Sequence, residues 1–261
     1  AKKFGFIKAT TNNDEIFSDM KNDAIVISTR HDTHCELILS ALKAEKNIFV
    51  EKPLCIKKRE LEKIKKEFLS FKIPPVLMVG FNRRFAPHIQ KIAQLLETVN
   101  EPKSFIMTIN AGRLPKEHWT QDAQVGGGRT VGEVCHFIDL LKYLAGDKII
   151  EWDLNELSDS SHDTMSILLK FADGSIGNIN YLCNGPKSFP KERLEIFTQG
   201  RVLQLDNYKL LKGFGWPNFK NMRLLRQDKG QNSCVKNFIS AINGDLTSPI
   251  DPEDIFDTTQ I

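Results

Sequence analysis

From residue 24 to about residue 99, short apolar runs alternate with stretches whose apolar residues recur at helical spacing, a rhythm that predicts βαβ units and a parallel sheet. Ala24–Ser28 is rich in β-branched residues, as expected of a strand covered on both faces. Asp32 and Thr33 offer N-cap chemistry, and Cys35, Leu37, Ile38 and Leu42 form the stripe of a helix closed by Lys46 and Asn47. Asn47–Glu51 is the second strand, stopped by Pro53, which lacks the N–H that a central ladder needs. A second amphipathic helix covers residues 57–71, with Leu61, Ile64, Phe68 and Leu69 on one face, and Val76–Gly80 follows Pro74-Pro75 as a third strand. A helix over about Ala86–Val99 ends the alternation.

Longer strands with few helices follow: Ser104–Ala111, Ile149–Asn155, Thr164–Phe171 and Ser175–Cys183, the last two joined by the turn Ala172-Asp173-Gly174. Two short strands flank Gln199-Gly200, and Asp206-Asn207 is a further turn. Helices are expected over Glu133–Ala145, ended by Gly146, and Ser233–Ile242, ended by Gly244. The change of style divides the chain into residues 1–84 and 85–261. The second part is expected to be an α+β domain whose open, mainly antiparallel sheet has one covered face.

Composition narrows the class. Of 261 residues, 41% are hydrophobic and 26% charged, enough apolar material for a folded core and against a disordered chain. Thirty-six Lys and Arg against 33 Asp and Glu leave a net charge of +3, and the densest basic run, Lys57–Lys66, is interleaved with Glu60 and Glu62 as on a solvated helix face. A nucleic-acid surface is therefore not expected. Nor is a membrane span or a signal peptide, since no apolar run is long enough for either. The five cysteines, Cys35, Cys55, Cys135, Cys183 and Cys234, are scattered with no C-x-x-C pair, so they read as buried thiols of a cytoplasmic protein with no metal site. The chain begins at Ala1 rather than Met and stops without an obvious terminating element, which reads as a fragment.

The residues that carry chemistry cluster at strand ends, where ligands of doubly wound sheets bind. Ser28-Thr29-Arg30-His31-Asp32-Thr33-His34 follows the first strand, Glu51-Lys52-Pro53 the second, and Gly80-Phe81-Asn82-Arg83-Arg84-Phe85 the third. Taken alone, Lys52 is a solvated lysine beside a strand-ending proline, and Asn82, Arg83 and Arg84 brace an interface. Downstream, Gly126-Gly127-Gly128-Arg129 precedes Gly132-Glu133-Val134-Cys135-His136, and His136 shares a helical face with Leu140 and Leu144, as a core histidine would. Arg113, His118 and Trp119 lie between a strand and the glycine loop. There an Arg can pair with a phosphate or carboxylate and a Trp can stack on a sugar face.

In this order and spacing the motifs resemble the glucose-fructose oxidoreductase, inositol dehydrogenase and MocA-like dehydrogenases, over essentially the whole chain. Asn110-Ala111-Gly112-Arg113-Leu114-Pro115, His118-Trp119 and the Gly-Glu-Val-Cys-His-Phe-Ile-Asp run are similar to the branch linked to polysaccharide and sugar-nucleotide metabolism. The resemblance implies a partial Rossmann domain, a doubly wound parallel sheet for NAD or NADP, and a second domain that holds a small sugar or sugar-nucleotide substrate and builds a homo-oligomer through its open sheet. It places Ser28, Thr29, His34, Glu51, Lys52 and Pro53 at the cofactor, with the Lys52-Pro53 bond often cis in the family. Lys52 and His136 become the catalytic pair, and either can be the base; a desolvated or cation-crowded lysine can approach neutrality. Two departures stand out. Gly132 occupies the position four before the histidine where many members carry Asp, leaving Glu133 as a substitute beside the substrate. The G-x-G-x-x-G turn and the acidic residue beyond it are not found, which leads us to expect that the first two strands of the fold were lost from this chain.

Two functions compete with the dehydrogenase on these residues: a non-catalytic sugar-binding or regulatory protein of the same fold, and a structural domain without ligand. Retention of both Lys52 and His136 speaks for the enzyme and Gly132 for the sensor. The third reading leaves the polar strand ends unexplained.

Overall fold

The structure, a computed structural model, describes residues 2–158, 163–244 and 248–261. Its first sheet is parallel, in the order β1 (Ala24–Ile27), β2 (Asn47–Val50), β3 (Leu77–Val79). A short helix, α1 (Asn13–Phe17), precedes it, and α2 (His34–Lys43) and α3 (Lys58–Leu69) make the crossovers. The central strand has Ile48 and Val50 fully buried, which is why its run of apolar residues is continuous rather than alternating. Leu61, Ile64 and Phe68 of α3 point inward while its lysines and glutamates face water. Leu69, assigned above to the same stripe, is 65% exposed, because one residue past Phe68 it is turned about 100° around the helix.

After α4 (Pro87–Leu96), the second sheet begins with β4 (Ser104–Asn110). A π-helical turn, Thr130–Val134, leads into α5 (Cys135–Ala145). The remaining strands are β5 (Ile149–Glu156), β6 (Met165–Phe171), β7 (Ile176–Leu182), β8 (Glu192–Thr198), β9 (Arg201–Asp206), β10 (Leu210–Phe214) and β11 (Asn221–Arg223), in the sheet order β11-β10-β9-β8-β4-β7-β6-β5. Every pairing is antiparallel except β4 with β7. One face packs on α4 and α5 through Ile92, Phe137 and Leu141, among others. The other carries Ile106, Leu168, Ile176 and Phe197, all exposed. The fold is thus a Rossmann-like parallel-sheet domain followed by an α+β domain with a mixed, mainly antiparallel sheet.

The last two helices, α6 (Gln231–Ile242) and α7 (Pro252–Gln260), return to the first sheet. Cys234, Phe238, Ile255 and Phe256 are buried in the same cluster as Ile48, Phe49 and Leu77, with ring centroids 5.6 Å apart for Phe49–Phe238 and 5.8 Å for Phe68–Phe256. A single cut at residue 84 therefore does not describe the packing. The apolar stripe of α6, Cys234, Phe238 and Ala241, needs a face to cover it, and the first sheet supplies one.

Two buried arginines after β3 tie the layers together. Arg83 donates from Nε and Nη2 to the Glu192 carboxylate at 2.9 and 3.0 Å, and Lys229 reaches the same carboxylate at 2.6 Å. Arg84 grips Asp139 of α5 at 3.0 and 2.5 Å, while Lys142 of α5 reaches Asp254 and Asp257 of α7 at 3.0 and 2.8 Å. Arg83 and Arg84 thus brace the interface. All five cysteines are buried as reduced thiols, and among the described residues no helix is long and apolar enough to cross a membrane.

Candidate active site

The three strand ends of the first sheet lie side by side because the ladder runs one step past the strands: Glu51 N donates to the Ile27 carbonyl and Gly80 N to the Val50 carbonyl, both at 2.8 Å. The loop after β2 turns at a cis Lys52-Pro53 bond. His34, fully buried at the start of α2, holds that turn: its Nδ1 sits 2.7 Å from the Pro53 carbonyl and its Nε2 3.2 Å from that of Thr29. Ser28, Thr29 and Glu51 are exposed, with the Thr29 hydroxyl 2.6 Å from that of Thr33. Pro53 is buried. The half-buried Lys52 extends across to the second domain, where its Nζ donates to the Gly132 carbonyl at 2.6 Å.

The facing wall is the glycine loop and the π-helical turn. A Cβ on Gly126 would lie 2.3 Å from Thr120 Cα, so only glycine lets this loop close on the segment bearing Trp119. The loop is clasped to the first domain: Asp32 N donates to the Val125 carbonyl at 3.1 Å and His31 Nδ1 to the Gly126 carbonyl at 2.7 Å. The His31 ring stands edge-on to Trp119, centroids 4.7 Å apart.

His136, at the start of α5, is 5% exposed with Phe81 edge-on to its ring, and its Nδ1 is buried without a hydrogen-bond partner. Burial first, and then the charges of Arg83, Lys52, Lys191 and Lys229, push its pKa well below the usual value, so the imidazole is neutral at physiological pH. Three residues ahead, Glu133 sits in a different kind of pocket. It accepts from Lys191 Nζ at 2.9 Å, Arg129 Nη2 at 3.1 Å and the Tyr181 hydroxyl at 2.5 Å. Burial alone would raise its pKa, but Lys191, Tyr181 and Arg129 outweigh it and hold the carboxyl at about 2. Burial and the neighbouring carboxylate push the Tyr181 phenol up, keeping it a donor.

Of the other anticipated residues, His118 and Trp119 line an open pocket of about 520 Å³ with Arg30 and Gln121, their rings stacked at 6.1 Å. Arg113 is exposed and makes no hydrogen bond or ion pair among the described residues. The sequence reading passed over four residues the structure brings in. His31 and Arg129 stand within motifs already noted, whereas Tyr181 and Lys191 meet Glu133 only through strand order, for which the local sequence carries no signal. Among the described residues no cluster of His, Cys, Asp and Glu has the makings of a metal site.

A Rossmann-like sheet whose strand ends face a histidine-bearing helix of a second, mixed-sheet domain defines a two-domain α/β architecture. Two models of one family match the chain: "Oxidoreductase family, NAD-binding Rossmann fold" over residues 1–70 and "Oxidoreductase family, C-terminal alpha/beta domain" over residues 93–201. The chain belongs to this Gfo/Idh/MocA oxidoreductase family. It is 26% identical over 212 residues to the myo-inositol 2-dehydrogenase of Thermotoga maritima, a match covering 77% of this chain and 62% of that one. It is 24% identical over 237 residues to the inositol 2-dehydrogenase of Rhizobium meliloti, covering 84% and 70%. Among solved structures, a levoglucosan dehydrogenase in complex with NADH and levoglucosan superposes with a TM-score of 0.85 at 18% identity, over 99% of this chain and 81% of that one, a likeness of fold.

Proposed function

We propose that the protein is an NAD(P)-dependent dehydrogenase acting on a hydroxyl of a sugar, sugar nucleotide or cyclitol. The observation that carries this reading is the convergence of Lys52 and His136 from two domains: a lysine anchored on the Gly132 carbonyl, and a neutral buried imidazole with an unpartnered nitrogen that feels the lysine's charge. That unsatisfied nitrogen beside three aligned strand ends fits the nicotinamide end of a dinucleotide and a substrate hydroxyl. Ser28, Thr29, Glu51, Lys52 and Pro53 would hold that end, with His34 fixing the loop. The described residues supply no glycine-rich turn for the pyrophosphate. When bound, the dinucleotide accepts hydride from the carbinol carbon. His136, neutral at working pH, is suited to accept the hydroxyl proton, and the Lys52 ammonium to stabilise the oxygen as its proton leaves. Glu133, locked in its ion pairs, orients Arg129 and Lys191 rather than shuttling protons. His118 and Trp119 offer a platform for the sugar, and the Asn110–Pro115 wording supports a sugar-nucleotide substrate. The exposed Ile106, Leu168, Ile176 and Phe197 support self-association through the open sheet.

The test is reduction of NAD+ or NADP+ in the presence of myo-inositol, levoglucosan or UDP-N-acetylglucosamine, with Lys52→Met as control. Turnover that falls by several orders of magnitude in Lys52→Met, with sugar binding within a few-fold of the parent, supports the enzyme. A second reading, sugar binding without hydride transfer, is favoured by Gly132 standing where many members have Asp. Unaltered sugar binding with no reduction of either dinucleotide by the parent protein would select it.

A further inference from the structure

We propose that the sugar this site takes is an acidic one, with a carboxylate or phosphate on the sugar itself, and that Lys191 is the residue that meets that anion beside His136. The inference rests on the dehydrogenase reading for the place of the sugar, whose reacting hydroxyl must reach His136. Five cations and two carboxylates are joined there into one web. Glu133 takes Lys191 and Arg129, Glu192 takes Arg83 and Lys229, and Lys191 and Glu192 are consecutive in the chain. Ring contacts close the web: Arg83 lies over Phe137 at 4.8 Å, Phe137 stands 6.3 Å from Tyr181, and Arg129 lies over Tyr181 at 5.2 Å. Lys52 joins through the Gly132 carbonyl, one residue ahead of Glu133.

Five cations against two carboxylates leave an excess of three positive charges. Glu51, beside Lys52 in the chain, is turned onto Gly80, its Oε2 3.0 Å from the point a Cβ there would occupy, and it joins none of these pairs. Counting it still leaves an excess of two. A cleft lined by one sign of charge draws the opposite sign, and a neutral cyclitol would leave the excess unmet. Lys191 has the capacity to meet an anion: its ammonium spends one of its N–H donors on Glu133, and its side chain is 41% exposed. Arg129 Nε and His136 Nδ1 stay buried without partners in the same web, as polar atoms reserved for a ligand do. After burial, the charges that lower the His136 pKa are those of Arg83, Lys52, Lys191 and Lys229. An anion bound among them offsets these charges and makes the imidazole a stronger base, so the right sugar improves the group that takes its proton.

Isothermal titration calorimetry of the intact protein with D-glucuronate, D-glucose 6-phosphate and D-glucose tests this without turnover. At low salt one of the two anionic sugars should bind about tenfold or more tighter than glucose, and the ratio should shrink as salt rises toward about 0.5 M. A tighter glucuronate assigns the anion as a carboxylate, a tighter glucose 6-phosphate as a phosphate. Lys191→Gln should bring the ratio to within about threefold of unity, and Lys191→Arg should restore most of it. Where circular dichroism shows that Lys191→Gln fails to fold, Lys52→Met removes a cation of the same web from the first domain and should narrow the ratio likewise. Glucose binding as tightly as both anionic sugars, or no saturable binding of any of the three, overturns the proposal. So does a preference that the folded variant leaves intact. Binding of UDP as tight as that of glucuronate would give the web to a nucleotide's diphosphate and overturn it as well. The dehydrogenase reading is judged apart. A protein that reduces either dinucleotide with myo-inositol yet binds both anionic sugars no tighter than glucose refutes this inference alone. One that prefers an anionic sugar but reduces neither dinucleotide with it refutes the dehydrogenase reading and keeps the acidic-sugar site for the sugar-binding one.

Discussion

At the scale of single residues, the site sets two groups apart by environment. His136 is buried among cations and stays neutral, while Glu133, three positions away, is buried among cations and stays charged. The same positive surroundings penalise an imidazolium and favour a carboxylate, which is how neighbouring positions on one helical segment acquire different roles. Glu133 also ties stability to pH. Its folded pKa of about 2 lies below the ordinary 4.5, so its contribution to stability is present above about 4.5 and disappears as the pH falls through about 2. Glu133→Gln should lower stability by about 2–3 kcal/mol at neutral pH, since Lys191, Arg129 and Tyr181 lose a shared acceptor. The gap between variant and parent should narrow between about pH 5 and pH 2. Urea denaturation at several pH values reads both effects, and a pH-independent gap would contradict the assignment.

At the scale of elements, what was legible in the sequence was local. The strand–helix alternation from Ala24 to Leu96, the strands β4 to β7 and the helix bearing His136 follow from periodicity and turn chemistry, so their places came out to within a few residues. The motifs at the strand ends were visible because polar residues interrupt apolar runs there. The parallel β4–β7 pair, the seating of α6 and α7 on the first sheet, and the cluster around Glu133 depend on contacts between segments far apart in the chain, for which a local pattern holds no information. α7 is a case in point: Asp251 caps it by accepting from Glu253 N, with Pro252 in its first turn, yet only a few buried residues, Ile255, Phe256 and Thr258, mark its inner face. The junction that seats α6 can be tested at one position. Gly230 precedes α6 at φ +83°, and a Cβ there would lie 2.4 Å from the Asn82 carbonyl oxygen and 2.5 Å from Ala86 N. Gly230→Ala should therefore cost about 2–3 kcal/mol, through both backbone strain and displacement of the segment that carries Arg83 and Arg84. Thermal denaturation checks it, and a variant as stable as the parent would mean that this junction yields.

At the scale of the whole molecule, two surfaces do different work: the interface between the domains is braced by ion pairs, and the open face of the second sheet sets exposed apolar side chains among polar ones such as Glu195 and Asn178. Leu168 and Phe197, 50% and 42% exposed, lie on that face. If it joins copies of the chain, Leu168→Glu with Phe197→Glu should shift the sedimentation coefficient to that of the 29.7 kDa monomer without changing the circular dichroism. Acid sensitivity belongs to the molecule as well, because three histidines in separate places share one bias. Burial is the first cause lowering the pKa of His31, His88 and His136, so each resists protonation in the folded state. In the unfolded chain the same groups titrate near the ordinary 6.5. Below that value the unfolded state binds more protons than the folded one, and stability must fall as the pH falls. The carboxylates held in ion pairs add their loss only lower, toward pH 4 and below. Melting temperature plotted against pH should thus hold level between about pH 7.5 and about pH 8.5, above which the buried thiols of Cys35 and Cys55 begin to cost stability, and begin to drop on the acid side near pH 6.5. His88 makes the cleanest probe, since it lies away from the cleft with Nε2 3.2 Å from the Met222 carbonyl and Nδ1 buried without a partner. In His88→Gln the drop between about pH 6.5 and pH 5 should be shallower than in the parent, with the acid limb unchanged. A parent curve flat to about pH 5 would show that these imidazoles take up protons without opening the fold.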